Sequence, residues 1–171
     1  MITFENLNEI EIPGKTAVAL GNFDGVHLGH RKLISEMVDY GRENNLKTLV
    51  FTFSNHPRDL LPDATKKKNI LHRNEKSGII ESLGVDYLVN VPFTKEIMNM
   101  RAEEFITDIL IGKLNAKGAF CGFNYRFGLR ASGTPDLLRE FGEKLGFSVF
   151  ELEAFKVQLT QIGRASSRER V

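Results

Sequence analysis

The chain has 171 residues, of which 42% are hydrophobic and 26% are charged, and its formal net charge is +1. This length is sufficient for one domain with a hydrophobic core, and the small charge excludes a broad electrostatic attraction to nucleic acid or to an anionic membrane. A single cysteine, Cys121, excludes an internal disulfide, no apolar run is long enough to span a membrane, and the first residues lack a signal-peptide pattern. We therefore expect a cytoplasmic protein with no nucleic-acid partner and no membrane partner.

Short apolar runs of strand type alternate along the chain with segments of helical period. The apolar runs predict strands at residues 16–20, 48–53, 87–91, 118–122 and 148–152. The helical segments lie around residues 33–38, 75–83, 102–114 and 135–145, and residues 54–73 are predicted to form a long polar loop. Thr134 is a suitable cap for the last of these helices, and Gly84 and Gly146 are suited to end the helices that precede them.

This alternation indicates an α/β fold, with a Rossmann-like parallel sheet of about five strands and helices on both of its faces. In such sheets, ligands bind at the carboxyl ends of the strands, near the point where the strand order reverses. Three polar or glycine-rich segments directly follow the strands predicted at 16–20, 48–53 and 118–122. We expect these three loops to lie at one edge of the sheet and to share one site.

The first of these segments is GNFDGVHLGH, residues 21–30, which leads into a predicted helix. His27 and His30 are three residues apart, so both side chains lie on one face of the first helical turn. A helix start presents unpaired N–H groups and a partial positive charge, which makes it an anion site. The pair therefore predicts contact with a polyphosphate. A structural role remains an alternative, as does metal binding, for which His56 and His72 are the remaining histidines.

Several motifs in this sequence resemble one family. The string GNFDGVHLGH contains the His-x-Gly-His signature of the nucleotidyltransferases and resembles most specifically the adenylyltransferase module of bacterial FAD synthetases. FTFSNHP, residues 51–57, is similar to the family's Thr-Phe-x-Pro-His-Pro segment, with Asn55 at a position where proline is usual. GFNYRFG, residues 122–128, resembles the family's Gly-x-x-Phe-x-Phe-Gly loop, with Tyr125 as the first aromatic residue. The likeness extends from residue 15 to about residue 155, with the motifs in the family's order.

The resemblance implies a nucleotidyltransferase-type fold and the transfer of an adenylyl group from ATP to FMN, which gives FAD and pyrophosphate. Mg²⁺ would accompany ATP, held largely by its phosphates. Residues 1–161 would form this domain. In the family it is normally the N-terminal module of a bifunctional enzyme and is followed by a riboflavin kinase domain, which we expect to be absent from this polypeptide. Two alternatives are a related nucleotidyltransferase with another acceptor and a truncated nucleotide- or flavin-binding module with little activity.

The resemblance also assigns roles to residues of the three loops. The catalytic residues are expected to be His27, His30 and Asn124. The nucleotide-binding residues are expected to be Gly21, Asn22, Phe23, Asp24, Gly25 and Gly29. The flavin-binding residues are expected to be Phe53, His56, Pro57, Arg58, Phe123, Tyr125, Arg126 and Phe127, and no residue is assigned to a metal. Alternatives stay open: Asp24 as a helix cap, Phe123 and Phe127 as core residues, and Arg58 in a solvated loop.

The last ten residues, IGRASSRERV, differ in character from the rest of the chain. Residues 162–171 are basic and have no apolar period, so we expect a non-native tail that does not pack. The family has a Ser-Ser-Thr-x-x-Arg nucleotide-binding motif near this point. Ser166 and Ser167 resemble its beginning, but Val171 stands where the arginine is expected. We expect this difference to impair the activity of the chain.

Overall fold

Six parallel strands form the central sheet of the computed structural model, which describes residues 1–55 and 67–153. The strands are β1 Ile2–Phe4, β2 Thr16–Leu20, β3 Lys47–Phe53, β4 Tyr87–Val91, β5 Ala116–Gly122 and β6 Ser148–Leu152. All five strands predicted from sequence are confirmed, and β1 is an additional edge strand that pairs with β4. It was missed because it has only three residues, and Ile2 is 55% exposed, which leaves no buried apolar run.

Helices cover both faces of the sheet, as predicted. The helices are α1 Leu28–Glu43, α2 Lys67–Ser82, α3 Lys95–Met98, α4 Ala102–Glu104 with a π-helical continuation over Phe105–Ile111, and α5 Pro135–Leu145. Residues of α1 and α2 pack on one face of the sheet, and residues of the π-helical segment and α5 pack on the other. Within the described part of the chain, no helix combines the length and the apolar character needed to cross a membrane.

The strand order β1-β4-β3-β2-β5-β6 places the point of reversal between β2 and β5. From β2 the chain continues outward through β3 and β4, and it then returns to the other side of β2 for β5 and β6. Leu20, at the end of β2, lies beside Phe51 of β3 and Cys121 of β5. The loops that follow these strands therefore emerge at one edge of the sheet, where the fold class binds ligands.

Three residues predicted to begin or end helices are confirmed in these roles. The Thr134 hydroxyl accepts a hydrogen bond from the Leu137 N–H (3.2 Å), and Gly84 and Gly146 adopt φ angles of 91° and 88° after the helices they end. One boundary was wrong, because α2 begins at Lys67 and residues 67–73 are therefore helical rather than loop. The apolar residues in the first turns of α2 do not recur with helical spacing, so no periodic pattern indicates a helix there.

Candidate active site

A cavity of about 650 Å³ opens at the carboxyl edge of the sheet, at the reversal between β2 and β5. Two of the predicted loops line it. The first contributes Gly21, Asn22, Phe23, Asp24, His27, Gly29 and His30, and the second contributes Phe123, Asn124, Tyr125 and Arg126. Lys32, Leu33, Leu152 and Glu153 also line the cavity and were not predicted as site residues.

The loop that follows β2 has a strained backbone. A 3-10 turn spans Asp24–Val26, and Phe23 and Val26 both adopt positive φ angles, 52° and 44°. Such a conformation is unfavourable for a β-branched residue and persists only where the surroundings enforce it. The Phe23 ring is buried, and a Cβ at Gly21 would lie 2.9 Å from it. Gly21 is therefore required so that the chain can turn closely over this ring.

The two histidines lie at the start of α1, where the anion site was expected. The first hydrogen bond of the helix runs from the Arg31 N–H to the His27 carbonyl (2.9 Å), so the N–H groups of residues 28–30 precede the regular ladder. The His27 N–H donates to His30 Nδ1 (3.1 Å), and the two imidazole rings stack at 4.9 Å. The edge of the Phe23 ring contacts the His30 ring at 5.2 Å, so the His30 ring is held between two aromatic neighbours.

These contacts determine the protonation of His30. Partial burial lowers the pKa of the His30 imidazole, His27 and Lys76 act in the same direction, and Asp24 opposes them. The imidazole is therefore neutral at pH 7 in the absence of ligand. Because Nδ1 accepts the His27 N–H, we assign the proton of the neutral ring to Nε2. His30 is thus arranged as a neutral hydrogen-bond donor.

The second loop, residues 122–133, is anchored at both ends. The Phe123 N–H donates to the Leu152 carbonyl (2.8 Å), and Phe127 and Gly133 exchange backbone hydrogen bonds of 3.3 and 2.7 Å. Between these anchors, Asn124 and Arg126 are exposed and the Phe123 side chain is 48% exposed. The loop therefore presents an amide, a guanidinium and an aromatic ring to the cavity.

Two aromatic residues of this loop have a packing function. Phe127 is buried in the core, with its ring 5.2 Å from the ring of Phe105, and the Tyr125 ring stacks on Phe127 at 5.6 Å. Burial raises the pKa of the Tyr125 phenol, so this side chain stays neutral. Phe53 likewise packs between aromatic rings, 5.4 Å from Phe51 and 5.0 Å from Phe93. Phe53 and Phe127 do not belong to the described cavity lining, whereas Tyr125 does.

Some of the predicted site residues cannot be placed in the cavity. His56, Pro57, Arg58 and the segment 162–171 lie outside the described residues. Gly25 lies in the 3-10 turn Asp24–Val26. The assigned roles of these residues remain predictions.

Lys76 is a buried residue near the site that sequence reasoning missed. It lies on α2, is 8% exposed, and donates hydrogen bonds to groups at the ends of β2 and β3. Its sequence context, HRNEKSG, is polar and does not indicate burial. The packing of α2 against the turn at Asp24–Val26 brings this side chain inward.

The carboxylates that line the cavity suit a metal ion that binds together with the phosphates of a nucleotide. Among residues 1–55 and 67–153, no group of three or more His, Cys, Asp and Glu side chains is arranged to hold a metal ion. Asp24 and Glu153 nevertheless supply carboxylates to the cavity lining. Mg²⁺ prefers one or two carboxylates together with phosphate oxygens, so these residues fit an ion bound mainly by a nucleotide.

Comparison with known proteins gives concordant results. A family model described as FAD synthetase matches residues 9–167. A bifunctional riboflavin kinase/FMN adenylyltransferase from Buchnera aphidicola (subsp. Schizaphis graminum) is 36% identical over 144 residues, which are 84% of this chain and 46% of that protein. The protein of the same name from Escherichia coli K12 is 33% identical over 138 residues, which are 81% of this chain and 44% of that protein. The chain thus spans about half the length of the curated relatives it matches.

A solved structure has the same fold. The crystal structure of a protein described as a macrolide-efflux protein from Streptococcus pneumoniae aligns with a TM-score of 0.78 at 26% identity. The alignment covers 92% of this chain and 52% of that one. The described fold is therefore shared with a longer protein.

Proposed function

The chain belongs to the FAD synthetase family, and from this premise we propose that it transfers the adenylyl group of ATP to FMN, giving FAD and pyrophosphate. One observation carries the proposal. The start of α1 with His27 and His30 and the loop with Phe123 and Asn124 line a single cavity at the point of strand reversal. A helix start can bind the phosphates of a nucleotide, and a loop with an exposed aromatic side chain can pack against a flavin ring.

The reaction depends on aligning the FMN phosphate with the α-phosphate of ATP and on offsetting their negative charges, more than on proton transfer. A phosphate oxygen of FMN attacks the α-phosphorus of ATP, the bond from this phosphorus to the bridging oxygen breaks, and pyrophosphate leaves. The FMN phosphate is already anionic at neutral pH, so no general base is required. The barrier comes from bringing negative charges together in line, and fixed donors aimed at the phosphate oxygens lower it.

The histidine pair and the helix start supply these donors. In the proposed complex, His30 Nε2–H and the His27 imidazole donate to phosphate oxygens, assisted by the N–H groups of residues 28–30. The Gly21–Gly25 segment binds the nucleotide, and Gly29 lets the helix start approach the phosphates closely. Asp24 and Glu153 would hold Mg²⁺ together with the phosphates of ATP, and the ion would supply positive charge there.

The acceptor is assigned to the remaining loops. Asn124 would contact the reacting groups, while Phe123 and Tyr125 would border the isoalloxazine ring and Arg126 would meet a phosphate. Phe53 and Phe127 would support these side chains from the core. His56, Pro57 and Arg58 complete the flavin side of the proposal. We further propose that residues 1–161 correspond to the adenylyltransferase half of the bifunctional relatives, whose names include a riboflavin kinase.

Alanine substitution of each histidine tests the proposed chemistry. His27→Ala and His30→Ala should each lower kcat for FAD and pyrophosphate formation by about 10²–10³-fold, the scale for the loss of one preorganised donor. ATP binding, measured by calorimetry, should weaken much less. Glu140→Ala is the control, because this exposed residue of α5 forms a surface ion pair with Lys144 and does not line the cavity.

Three results would contradict the proposal in different ways. Near-wild-type kcat in both histidine variants would remove the histidines from the chemistry. Binding of ATP and FMN by the unmodified chain without release of pyrophosphate would identify a binding module. Turnover with another phosphorylated acceptor, such as pantetheine phosphate or nicotinamide mononucleotide, in place of FMN would identify a related nucleotidyltransferase.

A further inference from the structure

The side chain of Lys76 crosses from α2 to the ends of two central strands. Its ammonium group donates to the Asn22 carbonyl at 3.0 Å, to the Phe53 carbonyl at 3.1 Å and to Thr52 Oγ1 at 3.4 Å. Thr52 Oγ1 in turn donates to the Asn22 carbonyl at 2.8 Å. A single buried cation thus joins the loop after β2 to the end of β3.

Packing alone does not explain a lysine at this position. Ile80, one helical turn further along α2, is fully buried in the core, so Lys76 lies on the inward face of the helix. Removing an ammonium group from water is unfavourable unless its N–H groups find acceptors, and an apolar side chain would avoid this cost. The acceptors within the described residues include backbone and hydroxyl oxygens at the edge of the site, so Lys76 ties that edge together.

The loop that Lys76 contacts is the strained one. Asn22 directly precedes Phe23, and both Phe23 and Val26 adopt positive φ angles. A strained turn relaxes when the contacts that enforce it are removed. Because the turn leads directly into the stacked His27 and His30 rings, relaxation would displace both imidazoles.

We propose that Lys76 is a positioning residue for adenylyl transfer: its ammonium group fixes the turn at residues 22–26 against the end of β3 and so holds His27 and His30 in place. The inference rests on the proposed function for its kinetic consequence, but its structural consequence is independent of the substrate. Removing Lys76 should move the histidine pair even in the protein without ligand.

An electrostatic signature accompanies the geometry. Among the described residues, the groups whose charges act on His30 are His27, Asp24 and Lys76, and the positive charge of Lys76 lowers the His30 pKa. Replacing Lys76 by a neutral residue should therefore raise the His30 pKa. This change follows from the charge alone, so the position of the turn is read separately from the amide signals of residues 22–30, which should shift in Lys76→Met and return in Lys76→Arg.

The test compares Lys76→Met, Lys76→Arg and Lys144→Met in the full chain. Lys144 is the matched control, because its side chain on α5 is 64% exposed and does not line the cavity. In Lys76→Met, kcat should fall about tenfold to 100-fold, the scale for a small displacement of a reacting group, and the NMR titration midpoint of His30 should move upward. Lys76→Arg keeps the charge and the donors, so it should restore most of kcat and the original midpoint. Lys144→Met should match the unmodified chain in both measurements.

The readouts separate failure of this inference from failure of the proposed function. If the unmodified chain makes no FAD, the proposed function fails, and the amide signals of residues 22–30 in Lys76→Met still decide the inference. If Lys76→Met does not fold, Lys76→Gln takes its place, because it keeps a polar but shorter and uncharged side chain at this position and should also shift the amide signals of residues 22–30. A folded Lys76→Met with unchanged kcat and unchanged amide signals of residues 22–30 would overturn the proposal, as would unchanged amide signals in Lys76→Gln.

Discussion

His30 illustrates how local contacts set the chemistry of one side chain. Its Nδ1 atom accepts the His27 N–H at 3.1 Å, and partial burial lowers its pKa, with His27 and Lys76 acting in the same direction against Asp24. The ring is therefore neutral at pH 7 and carries its proton on Nε2. A neutral imidazole can donate to a phosphate oxygen without a change in its protonation state.

We predict that His30 titrates below the ordinary histidine value of about 6.5 in the protein without ligand. The measurement is an NMR pH titration, with long-range nitrogen–proton correlations to identify the protonated nitrogen. The unfolded chain binds more protons than the folded one between the lowered pKa and about 6.5, so folding stability should fall as the pH decreases through this window. A midpoint at or above 6.5, or a proton on Nδ1 of the neutral ring, would contradict the assignment.

At the residue scale, spacing predicted part of this arrangement. An i, i+3 histidine pair after a strand predicts both rings on the first turn of a helix; His30 does lie in the first turn of α1, whereas His27 is the extended residue directly before it. The stacking of the rings, the Phe23 contact and the burial of Lys76 were not predictable in the same way. They depend on positive φ angles at Phe23 and Val26 and on the packing of α2, which no local pattern encodes.

At the scale of elements, the loop from β5 to α5 is closed by a glycine that faces an aromatic ring. Gly133 exchanges backbone hydrogen bonds with Phe127, and a Cβ at Gly133 would lie 2.5 Å from the Phe127 ring. The Phe127 ring is itself buried against Phe105, so it has little room to move. A larger residue at Gly133 should therefore open the loop that carries Asn124.

We predict that Gly133→Ala lowers the free energy of unfolding by about 1–3 kcal/mol, the usual cost of overpacking, and also weakens FMN binding. Urea denaturation and flavin fluorescence measure the two effects. Gly78→Ala is the matched control, because Gly78 lies inside α2 and a Cβ at this position would point into open space. That change should raise stability by about 0.5–1 kcal/mol through helix propensity. Equal stability of Gly133→Ala and the unmodified chain would show that the Phe127 contact adapts at no cost.

Elements with strong local signals were predicted well, and the others were not. The α5 helix has a threonine cap, proline at its first position and a terminal glycine, and it was found as predicted. The segment predicted as one helix over residues 102–114 is a single α-turn followed by the π-helical Phe105–Ile111. Apolar spacing in that segment identifies a buried helical face, but it does not distinguish the two hydrogen-bond patterns. β1 was missed because its pairing with β4 is its main stabilising contact.

For the whole molecule, topology is what assembles the site. The loop after β2 and the loop after β5 are about 100 residues apart in sequence, yet adjacent strands place them on either side of one cavity. The alternation of strands and helices is sufficient to predict that these two loops lie at the same edge of the sheet. It could not predict the volume of the cavity or the participation of Leu152 and Glu153, which follow from β6 lying beside β5.

This arrangement predicts that one ligand orders both loops. MgATP should slow amide hydrogen exchange in peptides that cover residues 21–30 and 122–126 together, because both segments line the same cavity. Peptides that cover α5 serve as the internal control, because no residue of α5 belongs to the described cavity lining. At a ligand concentration about 100 times Kd, the chain should gain about 2.7 kcal/mol of apparent stability, which a thermal or urea unfolding experiment can detect.

The flavin is tested by adding FMN to a complex with an ATP analogue whose α–β phosphate bridge cannot be cleaved. FMN should then extend the protection from exchange around Phe123 and Asn124. Protection confined to residues 21–30 under both conditions would mean that the second loop takes no part in binding, and the assignment of the acceptor to this cavity would then fail.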